Sequence, residues 1–203
     1  MITAAAYLDC QKALLLHRPG LDYSDLSELK KIITTGLQPR IAADLEDFRR
    51  AGNAVRLAQL GAILVASDCP EWSSADTACI GWNGEGCAQA NRTYWDDFLA
   101  HGRETGRGMF FVPTLPSIPA CEAAITLKIH GPVWYFSTAA DTGLLFAVLE
   151  DLFHGNPTLR QVLIAEINTD SACLLLWRPS GTPLPSCQTL KELFFHLKDS
   201  RSS

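Results

Sequence analysis

The sequence predicts an α/β protein whose sheet is largely parallel and is covered by helices on both faces. Two observations carry this prediction. Apolar runs of strand length alternate along the chain with helical patterns, an order that is typical of parallel sheets. In addition, 47% of the 203 residues are apolar and only 19% are charged, as in ordinary soluble proteins with a substantial core. We therefore expect one domain, or one and a half at most.

The N-terminal third is predicted to contain two strands and two helices. Short strands are expected at residues 2–6 and 13–17, with a loop at 19–23. A helical pattern covers residues 25–33, and a longer one covers 42–66 after Gln38 and Pro39 interrupt the first. The small residues along the longer helix would allow close packing against a neighbouring sheet or helix.

The remaining elements follow from apolar runs and turn residues. Strands are predicted at residues 77–82, 132–136, 161–167 and 172–177, and helices at 91–101, 120–128, 141–154 and 190–197. Prolines lead into the 120–128 helix and fit only its first turn. Residues 155–157 end the 141–154 helix, with His154 near its C-terminus, and residues 179–185 form a linker.

Charge and terminal composition exclude several classes of function. The formal net charge is −5 and no block of like charge is present, so neither a nucleic-acid surface nor an anionic membrane partner is favoured. The N-terminus has no basic segment before its apolar part, and polar residues 9–12 interrupt that part. The sequence therefore predicts a cytoplasmic protein.

No metal or cofactor site is predicted. The seven cysteines are scattered and never form a C-x-x-C pair, so they are interpreted as small buried residues in a reducing compartment. The five histidines show no metal-ligand spacing. The glycines of residues 81–86 fit neither the dinucleotide fingerprint nor the P-loop, and a tight turn after a strand explains them better.

The junction of the 132–136 strand with the following helix has the layout of a nucleophile site but lacks a nucleophile. Backbone N–H groups and the helix dipole at such a turn would activate a thiol or hold an oxyanion, so a cysteine there would indicate covalent catalysis. The sequence has Ala140 at this position. The next residue, Asp141, is expected to cap the helix or lie in its first turn.

At these residues the chain resembles the N-terminal half of the β-ketoacyl synthases, which have the thiolase-like fold. Gly131-Pro132, a strand and Thr138-Ala139-Ala140 stand where active synthases carry Thr-Ala-Cys before a long apolar helix. Residues 49–66, 77–84 and 111–129 follow the family's order of early helix, strand with glycine turn, and substrate-tunnel helix. The resemblance is strongest over residues 40–170. It implies a thiolase-like half-fold.

Two departures from the family pattern bear on activity. The catalytic cysteine is replaced by Ala140, and the family's C-terminal half, with two catalytic histidines and a glycine-rich loop, has no counterpart in the sequence. The resemblance therefore implies one truncated ketosynthase-like N-terminal domain over residues 1–203, without catalytic residues. In these respects the chain is similar to the short chain-length-factor subunits.

The resemblance also implies a partner and two groups of site residues. The partner would be a full-length β-ketoacyl synthase in a heterodimer, with acyl carrier protein involved indirectly, in fatty-acid, aryl polyene or polyketide synthesis. The wall of the acyl tunnel would contain Phe111, Leu115, Ile118 and Trp134. The edge of the dimer would be the strand that carries Val133, Tyr135 and Ser137. On the residues alone, core is the better explanation of the tunnel side chains.

Two other functions stay open. The chain is also compatible with a stand-alone acyl-binding or interaction protein that forms a homodimer without catalysis. A third hypothesis is an enzyme that uses Cys121 or Cys79 as its nucleophile, although no base is evident near either residue in the sequence.

Overall fold

The structure is a computed structural model, and it describes residues 1–36, 43, 45–49, 51–82, 87–101, 107–137, 141–180 and 184–202. The strands are β1 (Ile2–Asp9), β2 (Lys12–Leu15), β3 (Leu21–Asp22), β4 (Thr77–Trp82), β5 (Val133–Phe136), β6 (Gln161–Ile167) and β7 (Ser171–Trp177). The helices are α1 (Leu26–Gly36), α2 (Asn53–Asp68), α3 (Ala88–Ala100), α4 (Gly108–Phe111), α5 (Ile118–Thr126), α6 (Thr142–Gly155) and α7 (Leu190–Ser202).

The described strands form one mixed sheet in the order β3-β2-β1-β7-β6-β4-β5. Strand β4 pairs in parallel with β5 and β6, whereas the other four pairings are antiparallel. The α/β class is confirmed, but the prediction of a largely parallel sheet is wrong. The reason is the length of two connections: two residues join β1 to β2 and three join β6 to β7. A parallel pair needs a crossover of about a dozen residues or more.

Apolar side chains form two core clusters, and alternate residues of one strand point to different clusters. Leu174 and Leu176 of β7 belong to one cluster, whereas Leu175 and Trp177 belong to the other. The first cluster includes residues of α1, α2 and α5, and the second includes residues of α6 and α7. We call the corresponding sides of the sheet the α2 face and the α6 face.

The long helix predicted over residues 42–66 begins later than expected. A 3₁₀ turn covers Glu46–Arg49, and α2 begins at Asn53 after Gly52, whose extended backbone (φ −69°, ψ 165°) places it at the N-cap. Glycine is favoured at this position. The apolar pattern continues from the 3₁₀ turn into α2, and for this reason the sequence predicts one long helix. In the structure, the break at Gly52 exposes the N-terminus of α2 at one end of the sheet.

Other boundaries are closer to the prediction. The ends of β6 coincide with those predicted, and α6 ends at Gly155 with His154 in its last turn, as expected. Helix α5 carries Pro119 in its first turn, also as expected. Strand β3 and the short helix α4 were not predicted. None of the helices in the described ranges is both long and apolar enough to cross a bilayer.

Candidate functional site

Strand β5 lies at one edge of the sheet. It pairs with β4, and no other strand within the described ranges pairs with it. The N–H of Cys79 donates to the carbonyl of Pro132 (3.0 Å), so this carbonyl points toward β4. In a trans peptide the N–H of Val133 then points the opposite way, to the outer edge. The two-residue repeat of a strand gives the backbone N–H of Tyr135 the same outward direction, and Ser137, which was predicted on the same edge, lies one residue beyond the strand.

Apolar side chains are exposed on the elements that flank this edge. Val133 of β5 is 37% exposed, and Ile125 of the neighbouring α5 is 60% exposed. In the segment before α5, Phe111, Val112 and Leu115 are 49%, 47% and 42% exposed. Because α5 packs against β5 and both carry exposed apolar side chains, this edge is a candidate for an interface.

A cavity of about 340 Å³ lies on the α2 face, where β4, β5 and β6 end. Its floor contains Gly81 of β4, Tyr135 of β5, and Ala165 and Ile167 of β6. These residues belong to the carboxyl ends of three parallel strands, which is where ligands bind in many open α/β sheets.

Gly81 allows α5 and the side chain of Tyr135 to meet at the cavity floor. A Cβ atom on Gly81 would lie 2.9 Å from Cβ of Ala120 and 3.0 Å from Cδ2 of Tyr135. Real side chains do not tolerate contacts this short without movement, so glycine at this position keeps the floor open and α5 close to the sheet.

The walls of the cavity come from four helices, α2, α3, α4 and α5, and from the segment between the last two. The first residues of α2 and α3, including Asn53 and Gln89, form one wall. The opposite wall contains Phe110, Leu115 and Ile118, together with prolines of residues 113–119. The hydroxyl of Thr169, in the β6–β7 turn, donates to Oε1 of Gln89 (3.1 Å) and links α3 to the end of the sheet.

The predicted tunnel residues lie on different faces of the sheet. Leu115 and Ile118 border the cavity, whereas Phe111 is not among its described lining residues and its ring centroid lies 5.9 Å from that of Tyr94. Trp134 packs against the other core cluster on the α6 face, and Tyr135, its neighbour in β5, borders the cavity instead. The structure therefore brings two of the four residues to the cavity, and the tunnel role of all four stays a prediction.

The nucleophile position, Ala140, and the preceding Thr138 and Ala139 lie outside the described residues. Asp141, which follows them, is the N-cap of α6 as expected, because its side chain accepts a hydrogen bond from the N–H of Gly143 (2.8 Å). Ser186 also donates to this carboxylate (2.8 Å). The start of α6 thus holds an anion supplied by the chain itself.

The segment before α7 lies across the start of α6. The N–H of Thr142 donates to the carbonyl of Cys187 (3.0 Å), and the N–H of Cys187 donates to the hydroxyl of Thr142 (2.8 Å). That hydroxyl in turn donates to the carbonyl of Pro185 (3.2 Å). Thr142 is fully buried as a result. These bonds tie the C-terminal part of the chain to the helix that the sequence places after the nucleophile position.

The hydrogen bond from Ser186, and then that from the Gly143 N–H, hold the pKa of Asp141 below its usual range. A carboxyl with a lowered pKa stabilises the fold above its unfolded pKa, and this contribution is lost as the pH falls through the folded value. We expect Ser186→Ala to raise the pKa of Asp141 toward that of a free carboxyl in an NMR titration. Ser186→Thr, which retains the hydroxyl, is the control. An unchanged pKa in Ser186→Ala would contradict the assignment.

The cysteines named as alternative nucleophiles differ in environment. Cys79 is fully buried in β4, its thiol donates to the carbonyl of Ala120 (3.5 Å), and burial, with a smaller effect of Cys121, raises its pKa to about 12. A thiol in this state is not ionised at neutral pH and is a poor nucleophile. Cys121 is half-buried in α5. The structure therefore weakens the hypothesis of an enzyme that uses Cys79.

Two of the histidines within the described ranges contact a residue one turn earlier in the chain, whereas Nδ1 of His17 lies 2.7 Å from the guanidinium of Arg201. Nδ1 of His154 lies 2.8 Å from the carbonyl of Glu150, one turn earlier in α6, and Nδ1 of His101 lies 3.1 Å from Asp97. The part of the chain that the structure describes contains no group of three or more His, Cys, Asp or Glu residues suited to a metal ion. The glycine turn at residues 83–86 lies outside the described residues.

Sequence patterns do not indicate the part of the cavity that β6 lines. Ala165 and Ile167 belong to a continuous apolar strand, and nothing in that run shows which side chains face α2. Gln89 and Thr169 are 80 residues apart in sequence and meet only because β6 lies beside β4. The nearest available signal was the run of turn residues at 168–170, which places polar groups at the end of a strand.

Comparison with solved structures shows the fold. A chain of the complex between the ketosynthase ApeO and its chain length factor ApeC from Xenorhabdus doucetiae has a TM-score of 0.59 and 14% identity, over 98% of this chain and 91% of that chain. The ishigamide ketosynthase/chain length factor gives a TM-score of 0.55 at 12% identity, over 91% of this chain and 64% of that chain.

A third structure contains the type II polyketide acyl-carrier protein AntF in complex with its ketosynthase AntDE, bound to the hexaketide. It gives a TM-score of 0.54 at 10% identity, over 87% of this chain and 62% of that chain. The chain thus spans less than two thirds of the second and third matched chains. No family model and no curated protein sequence matches it. The protein has the ketosynthase-like, thiolase-type fold predicted from its sequence.

Proposed function

We propose that this chain is a non-catalytic ketosynthase-like subunit that pairs with an active β-ketoacyl synthase and shapes the acyl tunnel of the pair, as a chain length factor. The observation that carries the proposal is its fold, which it shares with chains of two ketosynthase and chain length factor assemblies. Residues 1–203 would act as one N-terminal ketosynthase-like domain in polyketide, polyene or fatty-acid synthesis.

The start of α6 supports the non-catalytic part of the proposal. Acyl transfer by a synthase requires a thiolate, and the sequence offers the methyl group of Ala140 at that position. The N-terminus of α6 would stabilise an anion, but the carboxylate of Asp141 already accepts the hydrogen bond from Gly143 there. A carboxylate that is stabilised as an anion is a poor acyl acceptor.

The edge strand supports the pairing. The backbone N–H of Val133, on the outer side of β5, is a template for a strand of another chain. Exposed apolar side chains on α5 and on the preceding segment, including Ile125 and Leu115, would become buried beside that strand. An interface of this kind combines directional hydrogen bonds with apolar burial.

The cavity supports the role in chain length. It opens beside Leu115, Ile118 and Tyr135, and Tyr135 belongs to the edge strand itself. An acyl chain that passes through a subunit interface at β5 would therefore enter an apolar space in this chain. The length of that space would limit the length of the product.

Co-expression with a full-length β-ketoacyl synthase from the same organism tests the proposal. We expect the two proteins to purify together as a one-to-one complex, as measured by size-exclusion chromatography and intact-complex mass. A chain that purifies as a stable homodimer in the presence of the synthase would overturn the pairing and favour the stand-alone acyl-binding or interaction protein.

Smaller side chains on the cavity wall should lengthen the product. We expect Leu115→Ala and Ile118→Ala, in the complex, to shift the product distribution of the synthase toward longer chains, as measured by mass spectrometry of the released acyl groups. Removing buried or half-buried methyl groups enlarges an apolar space.

Trp134→Ala is the matched control for this shift, because Trp134 packs on the α6 face. A product distribution that changes with Trp134→Ala but not with Leu115→Ala would place the tunnel on the opposite side of the sheet.

A further inference from the structure

The connection from α5 to β5 contains a lysine in a backbone conformation that favours glycine. Lys128 has a φ of 52°, in the left-handed region that residues other than glycine seldom adopt. Its N–H donates to the carbonyl of Ile125 (3.0 Å), and the N–H of Ile129 donates to the carbonyl of Ala124 (2.9 Å). These two bonds form a motif that ends many helices, and glycine usually occupies the position of Lys128 in it. The chain therefore carries a lysine where its backbone is strained.

The local chemistry of the helix accounts for only part of this feature. The carbonyl groups at the C-terminus of α5 favour a cation, and the ammonium group of Lys128 supplies one. A lysine at the exposed position of Ile125, in the last turn of α5, would supply the same charge without a left-handed backbone. Lys128 is exposed, and within the described ranges no hydrogen bond or ion pair engages its ammonium group. Strained residues of this kind cluster at binding and active sites.

Lys128 lies beside the free edge of the sheet. Helix α5 runs from the cavity, which Ile118 borders, toward the amino ends of the parallel strands, and β5 runs back from there. Four residues separate Lys128 from Val133, the first residue of the edge strand. Helix α5 and β5 pack against each other, and each carries an exposed apolar side chain, Ile125 and Val133. A strand that pairs with β5 would therefore pass the end of α5 that carries Lys128.

The charge of this edge differs from that of the whole chain. The chain has a net charge of −5, but its sequence contains no carboxylate between Glu122 and Asp141, a stretch that includes all of β5. The basic side chains of that stretch are Lys128 and His130. Glu122 already has an interaction within the chain, and the carboxylate of Asp141 caps α6. Among the described residues of this edge, a cation is thus available to an approaching strand and a free carboxylate is not.

We infer that Lys128 recognises a carboxylate that a different chain places on, or directly beside, the strand it adds to β5, and that this contact selects that chain over a second copy. A second copy would present the same edge, without a free carboxylate. An Asp or Glu side chain of another protein would accept a charge-assisted hydrogen bond from the ammonium group as the interface forms. This inference rests on the proposed function, because it assumes pairing at β5. It adds the residue that sets the choice of partner and the chemical group that the partner carries.

Removal of the charge tests the inference in the complex with the synthase. We expect Lys128→Met to weaken association about five- to ten-fold at 50 mM NaCl, as measured by calorimetry, and by a smaller factor at 500 mM, because salt screens the ion pair. Lys128→Arg, which keeps the charge, should retain the affinity within about two-fold. Lys12→Met is the matched control, because it removes an exposed lysine from β2, far from β5 in the strand order. It should leave the affinity unchanged.

A second variant separates recognition from backbone strain. Lys128→Gly relieves the left-handed conformation, so we expect the melting temperature of the chain to rise by about 2–4 °C. Its affinity for the synthase should nevertheless fall as far as that of Lys128→Met. A residue that acted only as the end of α5 would not combine a gain in stability with a loss of association.

The results distinguish this inference from the proposed function. A complex that forms with unchanged affinity in Lys128→Met would overturn the inference and leave the pairing intact. Self-association of the chain, measured by sedimentation, should not depend on Lys128. If it weakens in Lys128→Met, a second copy supplies the acceptor and the selection is wrong. Absence of a complex with the unmodified chain would overturn the proposed function, and this inference with it.

Discussion

Replacing Val133 with proline is expected to weaken association with the partner synthase at least about thirty-fold while the chain stays folded. Proline has no N–H, so the variant loses the outward donor of β5 and places its ring against the approaching strand. One lost backbone hydrogen bond accounts for about 1 kcal/mol, and the clash of the ring adds to it. The bonds between β4 and β5 remain, because the carbonyl of Pro132 still accepts from Cys79.

Val133→Ala is the matched control for this variant. It removes most of a side chain that is 37% exposed but keeps the backbone donor. We expect it to change the affinity of the complex by less than three-fold. Affinity is measured by calorimetry, and folding by thermal unfolding of each variant alone.

The outcomes separate three cases. Loss of association in both variants would mean that the side chain of Val133, rather than the strand edge, makes the contact. Full association of Val133→Pro would remove β5 from the interface. A melting temperature that falls markedly in Val133→Pro alone would show that β5 is paired differently within the chain.

The C-terminal half of the chain was the most predictable from sequence. Helix α6 has a strong helical periodicity and strand β6 is a continuous apolar run, and both are bounded by turn residues, so local signals suffice to define them. The cap of α6 was also predictable, because Asp141 follows a run of small residues directly before an apolar helix. Local chemistry determines these features, and no distant contact is needed to explain them.

The direction of the strands and the shape of the cavity depend on contacts that sequence patterns do not contain. The hairpins at β1–β2 and β6–β7 could have indicated antiparallel pairing, since their turns are too short for a crossover. The face of Trp134 depends on its pairing with Ile80 in the β4–β5 register, which no local pattern reveals. A shift by one residue would have moved it to the cavity.

Gly131, which precedes β5, illustrates the same limit. The Gly131-Pro132 pair was part of the resemblance to the synthases, but the sequence alone does not say why glycine is needed there. In the structure, the N–H of Gly131 donates to the carbonyl of Thr77 (3.1 Å), so its backbone lies directly against the start of β4. Thr77 is fully buried, and its hydroxyl accepts a hydrogen bond from Gln161 (2.8 Å).

Gly131→Ala is therefore expected to destabilise the chain by about 3 kcal/mol, at the upper end of overpacking effects. The new Cβ atom would lie 2.2 Å from the carbonyl oxygen and 2.9 Å from the carbonyl carbon of Thr77. These are backbone atoms of a central strand, which cannot rotate away as the tip of a side chain can. For a domain of this size, the melting temperature should fall by about 6–12 °C.

Gly155→Ala at the end of α6 is the control, because a Cβ atom there would meet no atom within 4 Å. It should change stability by less than about 0.5 kcal/mol. The free energies of unfolding of both variants are measured by urea denaturation, so they can be compared directly. Equal stability of the two variants would mean that β5 and the segment before it can move away from β4 at little cost. In that case the edge strand would be loosely held, and its use as the pairing edge would lose its structural basis.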